Sequence, residues 1–318
     1  MEKPARKPEW LKVRLPGGES QERFNGLKQR LDGLDLHTVC EEARCPNIFE
    51  CWGQGTATIM ILGETCTRGC RFCAVNTGNP EGFTDPREPE NTARALAKME
   101  LAYVVLTMVD RDDLLDGGAD HVARTVQRIR HHCPDLLVET LVGDFQGVRR
   151  DVTTVVREGA PDVFAHNVEV VPRLQRTIRD ARCSWERSAE VLAWAKADGA
   201  KVTKSSLMVG LGETEDEVLD AMKRLRDAGV DVLTIGQYLQ PTKKHAELVR
   251  YVTPEEFDRY GAMGRELGFA FVASGPLVRS SYRAAEVFLH GVLKKEGAGA
   301  APDFVDRYGK KRRLDVVP

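Results

Sequence analysis

Long hydrophobic runs are missing: across 318 residues no apolar stretch approaches the roughly 18 residues of a membrane-spanning helix. The opening Met1 to Trp10 is rich in Lys, Arg and Pro with no apolar core behind it, so a secretory signal is not expected and the chain should stay in the cytoplasm. An excess of one charge is missing too. Lys and Arg number 46 against 48 Asp and Glu, a net charge of −2, which offers no domain-wide positive field for a nucleic-acid backbone. The histidines at 121, 131, 132, 245 and 290 lack metal-ligand spacing and read as surface or helix residues. What remains is ordinary globular usage, 42 % apolar and 30 % charged, which excludes collagen, coiled coil and wholesale disorder. At about 150 residues per domain the length suits two domains or one α/β barrel.

Cysteine is what the chain has in an unusual pattern. Eight fall at 40, 45, 51, 66, 70, 73, 133 and 183, six of them in one short window. In a reducing compartment, closely spaced thiols bind metal more often than they pair as disulfides. Cys133, before Pro134, and Cys183, before a helical stretch, read as unliganded.

From Arg6 to Gln54 the chain has no long periodic segment and reads as an irregular wrap whose order depends partly on metal. From Thr58 onward, apolar runs alternate with amphipathic stretches. The runs are Thr58 to Leu62, Tyr103 to Thr107, Leu136 to Thr140, Val163 to Ala165, Val202 to Val209 and Val232 to Ile235, and helices are predicted over 89–100, 118–132, 149–158, 184–198 and 214–228. Thr214 with Glu217 and Thr253 with Glu256 make capping boxes, and Pro254 sits at the first helical position of the second. Continuous apolar strands separated by helices mean a parallel sheet with crossover helices. The prediction is an α/β fold, a partial (β/α)6 barrel of six units, then a helix over 254–267, a short run Phe269 to Ala273, a last helix near 282–295, a linker, and a solvated basic tail at Lys310 to Arg313. The predicted parts are an N-terminal extension 1–54, a barrel 55–275 and a C-terminal segment 276–318.

Cys66, Cys70 and Cys73 stand at CxxxCxxC spacing in the loop leaving the first strand, and carboxyl ends of parallel strands are where α/β active sites collect. Three thiolates can hold three irons of a cubane and leave the fourth iron open for chemistry. A structural zinc site is the alternative, but no fourth Cys or His follows within twenty residues of Cys73. This triplet, with Phe72 before its last cysteine, resembles the signature of radical S-adenosylmethionine enzymes. The resemblance implies an open iron that chelates S-adenosylmethionine and a low-potential cluster whose electron cleaves the sulfonium to give a 5′-deoxyadenosyl radical.

Upstream, Cys40, Cys45 and Cys51 form a CxxxxCxxxxxC arrangement, with fourteen residues between Cys51 and Cys66, enough chain for two separate clusters. Reduced thiols, or one zinc held by three of these cysteines with His37, are the plain alternatives. Lys7 to Lys12, Cys40 to Trp52, Thr65 to Cys73, Val109 to Leu114 with Asp116 to Ala119, His166 to Glu169, Met208 to Thr214, Gly236 to Pro241 and Arg279 to Tyr282 together look like the lipoyl synthase family, from about residue 7 to 290.

The resemblance implies a sulfurtransferase with two [4Fe-4S] clusters and S-adenosylmethionine. It would insert sulfur at C6 and C8 of an octanoyl chain amide-linked to a lysine of a lipoyl-carrier domain, the E2 subunits of 2-oxoacid dehydrogenases or the H protein of glycine cleavage. The Cys40, Cys45 and Cys51 cluster would be the auxiliary one and the sulfur source. A low-potential donor such as flavodoxin or ferredoxin and cluster-repair proteins would be further partners, with no nucleic acid and no membrane. General acid–base catalysis cannot open an unactivated C–H bond, so no catalytic acid or base is named.

Ser280 and Ser281 precede a helix-like run and read first as an N-cap; the resemblance maps Ser281 to a ligand of the auxiliary cluster. Thr107, Asp110, Glu139 and Asn167 end successive strands and would face the rim, where each is equally a loop or capping residue. Family analogy, and for Phe72 its place beside Cys73, makes these five the candidate S-adenosylmethionine contacts. Gly210 to Thr214 lacks the order of a dinucleotide fingerprint and suits a close turn better. A two-cluster electron carrier would need four ligands per cluster and no barrel. Another sulfur-inserting radical enzyme, such as biotin synthase, does not share the upstream triplet or the Arg-Ser-Ser-Tyr tetrapeptide.

Overall fold

The structure, a computed structural model, describes residues 6–12, 21, 24–26, 28–29, 47–52, 56–99, 101–281, 304–305 and 311–312. Seven parallel strands form one sheet in chain order: β1 (Thr56–Ile61), β2 (Tyr103–Met108), β3 (Leu137–Leu141), β4 (Val163–Ala165), β5 (Val202–Val209), β6 (Val232–Gln237) and β7 (Phe271–Gly275). Continuous burial along β2 to β6 is what a sheet covered on both faces requires. Between them run α1 (Glu88–Ala97), α2 (Ala119–His132), α3 (Arg149–Thr154), α4 (Trp185–Ala197), α5 (Glu215–Asp227) and α6 (Pro254–Glu266). α2 buries Val122, Ala123, Val126 and Ile129, one stripe at helical spacing. Both predicted capping boxes form, on α5 and α6.

The six βα units stand as expected, with one addition: the run expected after α6 is a seventh strand, paired to β6 from Val232↔Phe271 to Gly236↔Gly275. α6 is therefore a sixth crossover helix. β1 and β7 are the two edges of the sheet, so the barrel is open. The predicted helix over 149–158 is shorter, ending in a π-helical turn over Val155–Gly159. The predicted helix over 282–295 lies outside the described residues, as does most of 1–54. In the tail, Lys311–Arg312 pairs antiparallel with Phe304–Val305, and the rest of the predicted basic tail lies outside the described residues.

Pleating sends alternate side chains of the strands into the lumen. Tyr103, Val105, Leu137, Val163, Val202 and Val232 pack there as its apolar floor. Outside the sheet, one core cluster lies under α1 to α3 and another under α5 and α6. The short helix Ile48–Trp52 joins the first of these, with Cys51 and Trp52 buried and Phe24 stacked on Trp52 at 5.3 Å. Among the described residues no helix is long and apolar enough to cross a membrane.

Candidate functional site

β1 ends at a turn that aims the cysteine loop over the lumen. Leu62 takes a left-handed conformation (φ 67°) that costs a side-chain-bearing residue energy, so neighbours must hold it. Its N–H donates to Glu88 Oε2 at 2.8 Å and its carbonyl accepts from Arg111 Nη1 at 3.0 Å. Gly118 closes against it: a Cβ there would lie 2.5 Å from the Leu62 side chain, so only glycine fits.

The loop is then pinned from four sides. Thr67 donates its N–H and its hydroxyl to the Asp110 carbonyl, both at 2.9 Å. Arg68, buried between Cys66 and Cys70, forks onto Asp112 at 2.9 and 2.7 Å and reaches Asp144 at 2.6 Å. The Arg71 N–H donates to the Ile178 carbonyl, and the Arg71 carbonyl accepts from the Ala246 N–H. His245 donates Nε2–H to the Cys73 carbonyl at 3.0 Å. Burial works to raise the Asp144 carboxyl, but the hydrogen bond from Arg68 holds it below its ordinary value. A rigid loop of this kind presents its sulfurs in fixed positions.

The three cysteines are half-buried, and backbone donors meet two of the sulfurs. The Arg68 N–H lies 3.4 Å from Cys66 Sγ, and the Asp180 N–H 3.3 Å from Cys70 Sγ. Such N–H groups stabilise thiolates and tune a cluster they ligate. Burial, then the nearby Asp110 carboxylate, pushes the Cys66 thiol up to about 11. The Cys70 thiol is raised by its hydrogen bond with Cys183 and by burial, while Cys183 is drawn down by the same bond. Cys183, which reads from sequence as unliganded, thus touches the loop, with Arg68 Nη1 3.5 Å from its Sγ. Among the described residues no three His, Cys, Asp or Glu side chains converge on a single-ion site.

Of the candidate cofactor residues, Phe72 lies in the loop itself, Asp110 accepts from its Thr67, and Thr107 and Asn167 stand at the carboxyl ends of their strands. Phe72 is half-buried against the β4 to β6 side of the core. Thr107 lies near the end of β2, and Asp110 two residues beyond it, where burial pushes its carboxyl up to about 6. Asn167 follows β4; its Nδ2 donates to Glu169 at 3.1 Å, and its Oδ1 is buried with no hydrogen-bond partner. Glu169, left-handed at φ 67°, is raised by burial, and the Gln175 amide is also buried and unpartnered. Buried polar atoms without partners are rare in finished structures and are suited to a polar ligand. S-adenosylmethionine, with its amino, carboxylate and ribose groups, fits this lining.

Glu139 sits elsewhere. It points into the lumen two residues before the end of β3, with its carboxylate bound by Lys204 Nζ at 2.9 and 2.7 Å and by the Tyr103 hydroxyl at 2.6 Å. The turn Gly210 to Thr214 is closed by its own Glu213, whose oxygens accept the Gly210 and Leu211 N–H groups. Those amides are taken, which removes a phosphate-loop role. Spacing does not point to Arg68 or His245, which brace the thiol loop; a charged residue inside that loop was the one local signal available.

The second triplet is only partly described: Cys40, Cys45 and His37 lie outside the described residues, while Cys51 is buried on its short helix. Four residues before it, Asn47 is buried and donates Nδ2 to the Leu277 carbonyl at 2.6 Å. Leu277 is four residues before Ser281. The intervening segment crosses β6 closely, since a Cβ on Gly236 would fall 2.1 Å from the Val278 carbonyl oxygen. The capping reading of Ser281 concerns a helix outside the described residues.

The family model described as the radical SAM superfamily matches residues 60–225, and the one described as the N-terminal domain of lipoyl synthase of the radical SAM family matches residues 2–45. A lipoyl synthase of Sorangium cellulosum is 59 % identical over 307 residues, covering 92 % of this chain and 82 % of that protein. One of Thermus thermophilus is 56 % identical over 289 residues, covering 91 % and 88 %, and a mitochondrial one of Ostreococcus lucimarinus is 55 % identical over 305 residues, covering 94 % and 75 %. Among solved structures, the FeFe-hydrogenase maturase HydG of Carboxydothermus hydrogenoformans matches at TM-score 0.54 and 12 % identity over 87 % of this chain and 84 % of that one, which shows the fold alone. The chain belongs to the lipoyl synthase family of radical S-adenosylmethionine enzymes, sulfurtransferases that work with [4Fe-4S] clusters and S-adenosylmethionine.

Proposed function

We propose that Cys66, Cys70 and Cys73 hold the cluster that binds S-adenosylmethionine, and that Cys40, Cys45 and Cys51 with Ser281 hold an auxiliary cluster that gives up sulfur. The product would be a lipoyl group, made by sulfur insertion at C6 and C8 of an octanoyl-lysine on a carrier domain. The observation that carries this reading is the buried Asn47 to Leu277 hydrogen bond, which ties the segment of Cys51 to the segment of Ser281. A ligand set drawn from both ends of the barrel needs such a tie.

When bound, the clusters and S-adenosylmethionine supply one-electron chemistry that removes hydrogen from unactivated carbon. The protein's share is placement. Arg68, Asp112 and Asp144 fix the first cysteine loop. Phe72, Thr107, Asp110 and Asn167, with Glu169 and Gln175, would hold S-adenosylmethionine; Glu139 is left out because its oxygens serve Lys204 and Tyr103. No residue is given a general acid or base role. Residues 1–54 would form the auxiliary-cluster extension, 55–275 the barrel and 276–318 the segment bringing Ser281. The carriers would be E2 subunits and the glycine-cleavage H protein, the electron donor a flavodoxin or ferredoxin, and cluster-repair proteins would restore the auxiliary site. Six thiols reserved for metal suit a reducing compartment such as the cytoplasm.

Anaerobic reconstitution should yield about eight irons and eight sulfides per chain. Replacing Cys66, Cys70 and Cys73 with Ala should abolish 5′-deoxyadenosine formation. Replacing Cys40, Cys45 and Cys51 should leave it detectable and remove sulfur insertion. Two folded triple variants alike in both assays, or stoichiometric zinc with little iron, would overturn the assignment.

A further inference from the structure

Among the described residues, the large hydrophobic side chains left exposed are Phe83, Leu115, Val148 and Val249. All four lie on loops at the carboxyl ends of the strands, the face that carries the cysteine loop. Scattered exposed apolar residues need no explanation, but concentration on one functional face does. Phe83, Leu115 and Val148 follow three neighbouring strands, β1, β2 and β3. Leu115 is fully exposed and Phe83 is 73 % exposed.

The first two of these loops are laced together. Arg111 forks onto Asp113 at 2.8 Å on both arms and reaches the Phe83 carbonyl at 2.7 Å, while Asp113 also accepts the Gly82 N–H at 2.8 Å. Apolar side chains held outward on a braced backbone lose little entropy when covered.

We infer that Phe83 and Leu115, with Val148 at the end of the ridge, form the surface on which the body of the octanoylated carrier domain rests during reaction. The inference rests on the reading of the site given above. An acyl chain on a lysine extends only its own length from the carrier. For its far carbons to reach the cysteine loop, the carrier's surface must therefore press against this mouth. On the other side Val278 and Arg279 cross the end of β6, so among the described residues the rim is less covered on the β1 to β3 side.

The test is the cluster-loaded enzyme carrying Phe83→Ser together with Leu115→Ser. KM is measured for an octanoylated carrier domain and for a short octanoyl-lysine peptide. The KM for the carrier should rise roughly tenfold or more, as for loss of interface anchors. KM for the peptide, iron content and S-adenosylmethionine cleavage should stay unchanged, and Val249→Ser, on another part of the rim, should leave both substrates unaffected. An unchanged carrier KM, or equal weakening toward carrier and peptide, overturns the inference. So does a wild-type dimer that the double variant dissociates, since the ridge would then cover a second copy. Failure of the wild-type enzyme to lipoylate either substrate would instead count against the functional reading.

Discussion

Replacing Glu139 with Leu would strip the counterion from an ammonium that has nowhere to go. Glu139 is fully buried and Lys204 Nζ, on a side chain 2 % exposed, binds both of its oxygens. Removing one partner of a buried pair costs about 3–5 kcal/mol, because the surviving charge stays desolvated. The Tyr103 hydroxyl also loses an acceptor, which places the expected loss near the upper half of that range, about 4 kcal/mol. Against a total stability of about 5–15 kcal/mol this is a severe change. With an m-value of about 3 kcal/mol/M the urea midpoint of the cluster-loaded protein should fall by about 1.3 M. Adding Lys204→Met removes the stranded charge and should recover most of the loss, since apolar replacement of a whole buried pair is often neutral or better. The double variant should still bind S-adenosylmethionine with normal affinity, because the pair lies below the rim. A single-variant cost under about 1 kcal/mol, or a double variant no more stable than the single, would refute the stranded-charge reasoning. Normal stability with lost S-adenosylmethionine affinity would return Glu139 to the cofactor pocket.

Burial holds His166 down to about 4, against 6.5 for the free side chain, so the unfolded chain takes up the proton first as pH falls. The His166 contribution is complete above about pH 6.5 and is lost on the way down to about 4, on the order of 3 kcal/mol, and His166→Gln should flatten the urea midpoint across that window. Ser281→Ala should alter the auxiliary-cluster spectrum and suppress sulfur insertion while S-adenosylmethionine cleavage continues, and Ser280→Ala should do neither; lipoyl product at the normal rate from Ser281→Ala would exclude an essential ligand role. Arg68→Lys keeps the charge but cannot fork onto Asp112 and also reach Asp144, so iron retained at the first site after anaerobic gel filtration should fall, and full retention would show the fork to be dispensable.

The elements whose causes are local were legible in the chain. Val163 to Ala165 and Val202 to Val209 read as strands because each is a short run set between helical stretches, and they form with those bounds. The capping boxes at Thr214 and Thr253 depend on residues three apart, and both close. The seventh strand was less legible, because Phe271–Gly275 is only half-buried and its role depends on meeting β6, far back in the chain. Lys204 was a signal passed over. A lysine inside a strand as buried as β5 has to find a carboxylate, and Glu139 stands on β3, which shares β4 as a neighbour with β5.

At the site, spacing singled out the six thiols proposed as cluster ligands, but spacing says nothing of what braces the first loop. Arg68 meets Asp112 and Asp144 from loops 44 and 76 residues away, and Cys183 comes to Cys70 through the turn after Asp180, contacts only the closed sheet creates. The Asn47 to Leu277 bond spans 230 residues. Each end of that bond lies close in sequence to a proposed auxiliary ligand, Cys51 on one side and Ser281 on the other, so the bond would draw those two ligands toward one site. Under the proposed ligand set, a barrel that must assemble before its second site can close would keep the sulfur source from forming on an unfolded chain, where nothing would hold the substrate beside it.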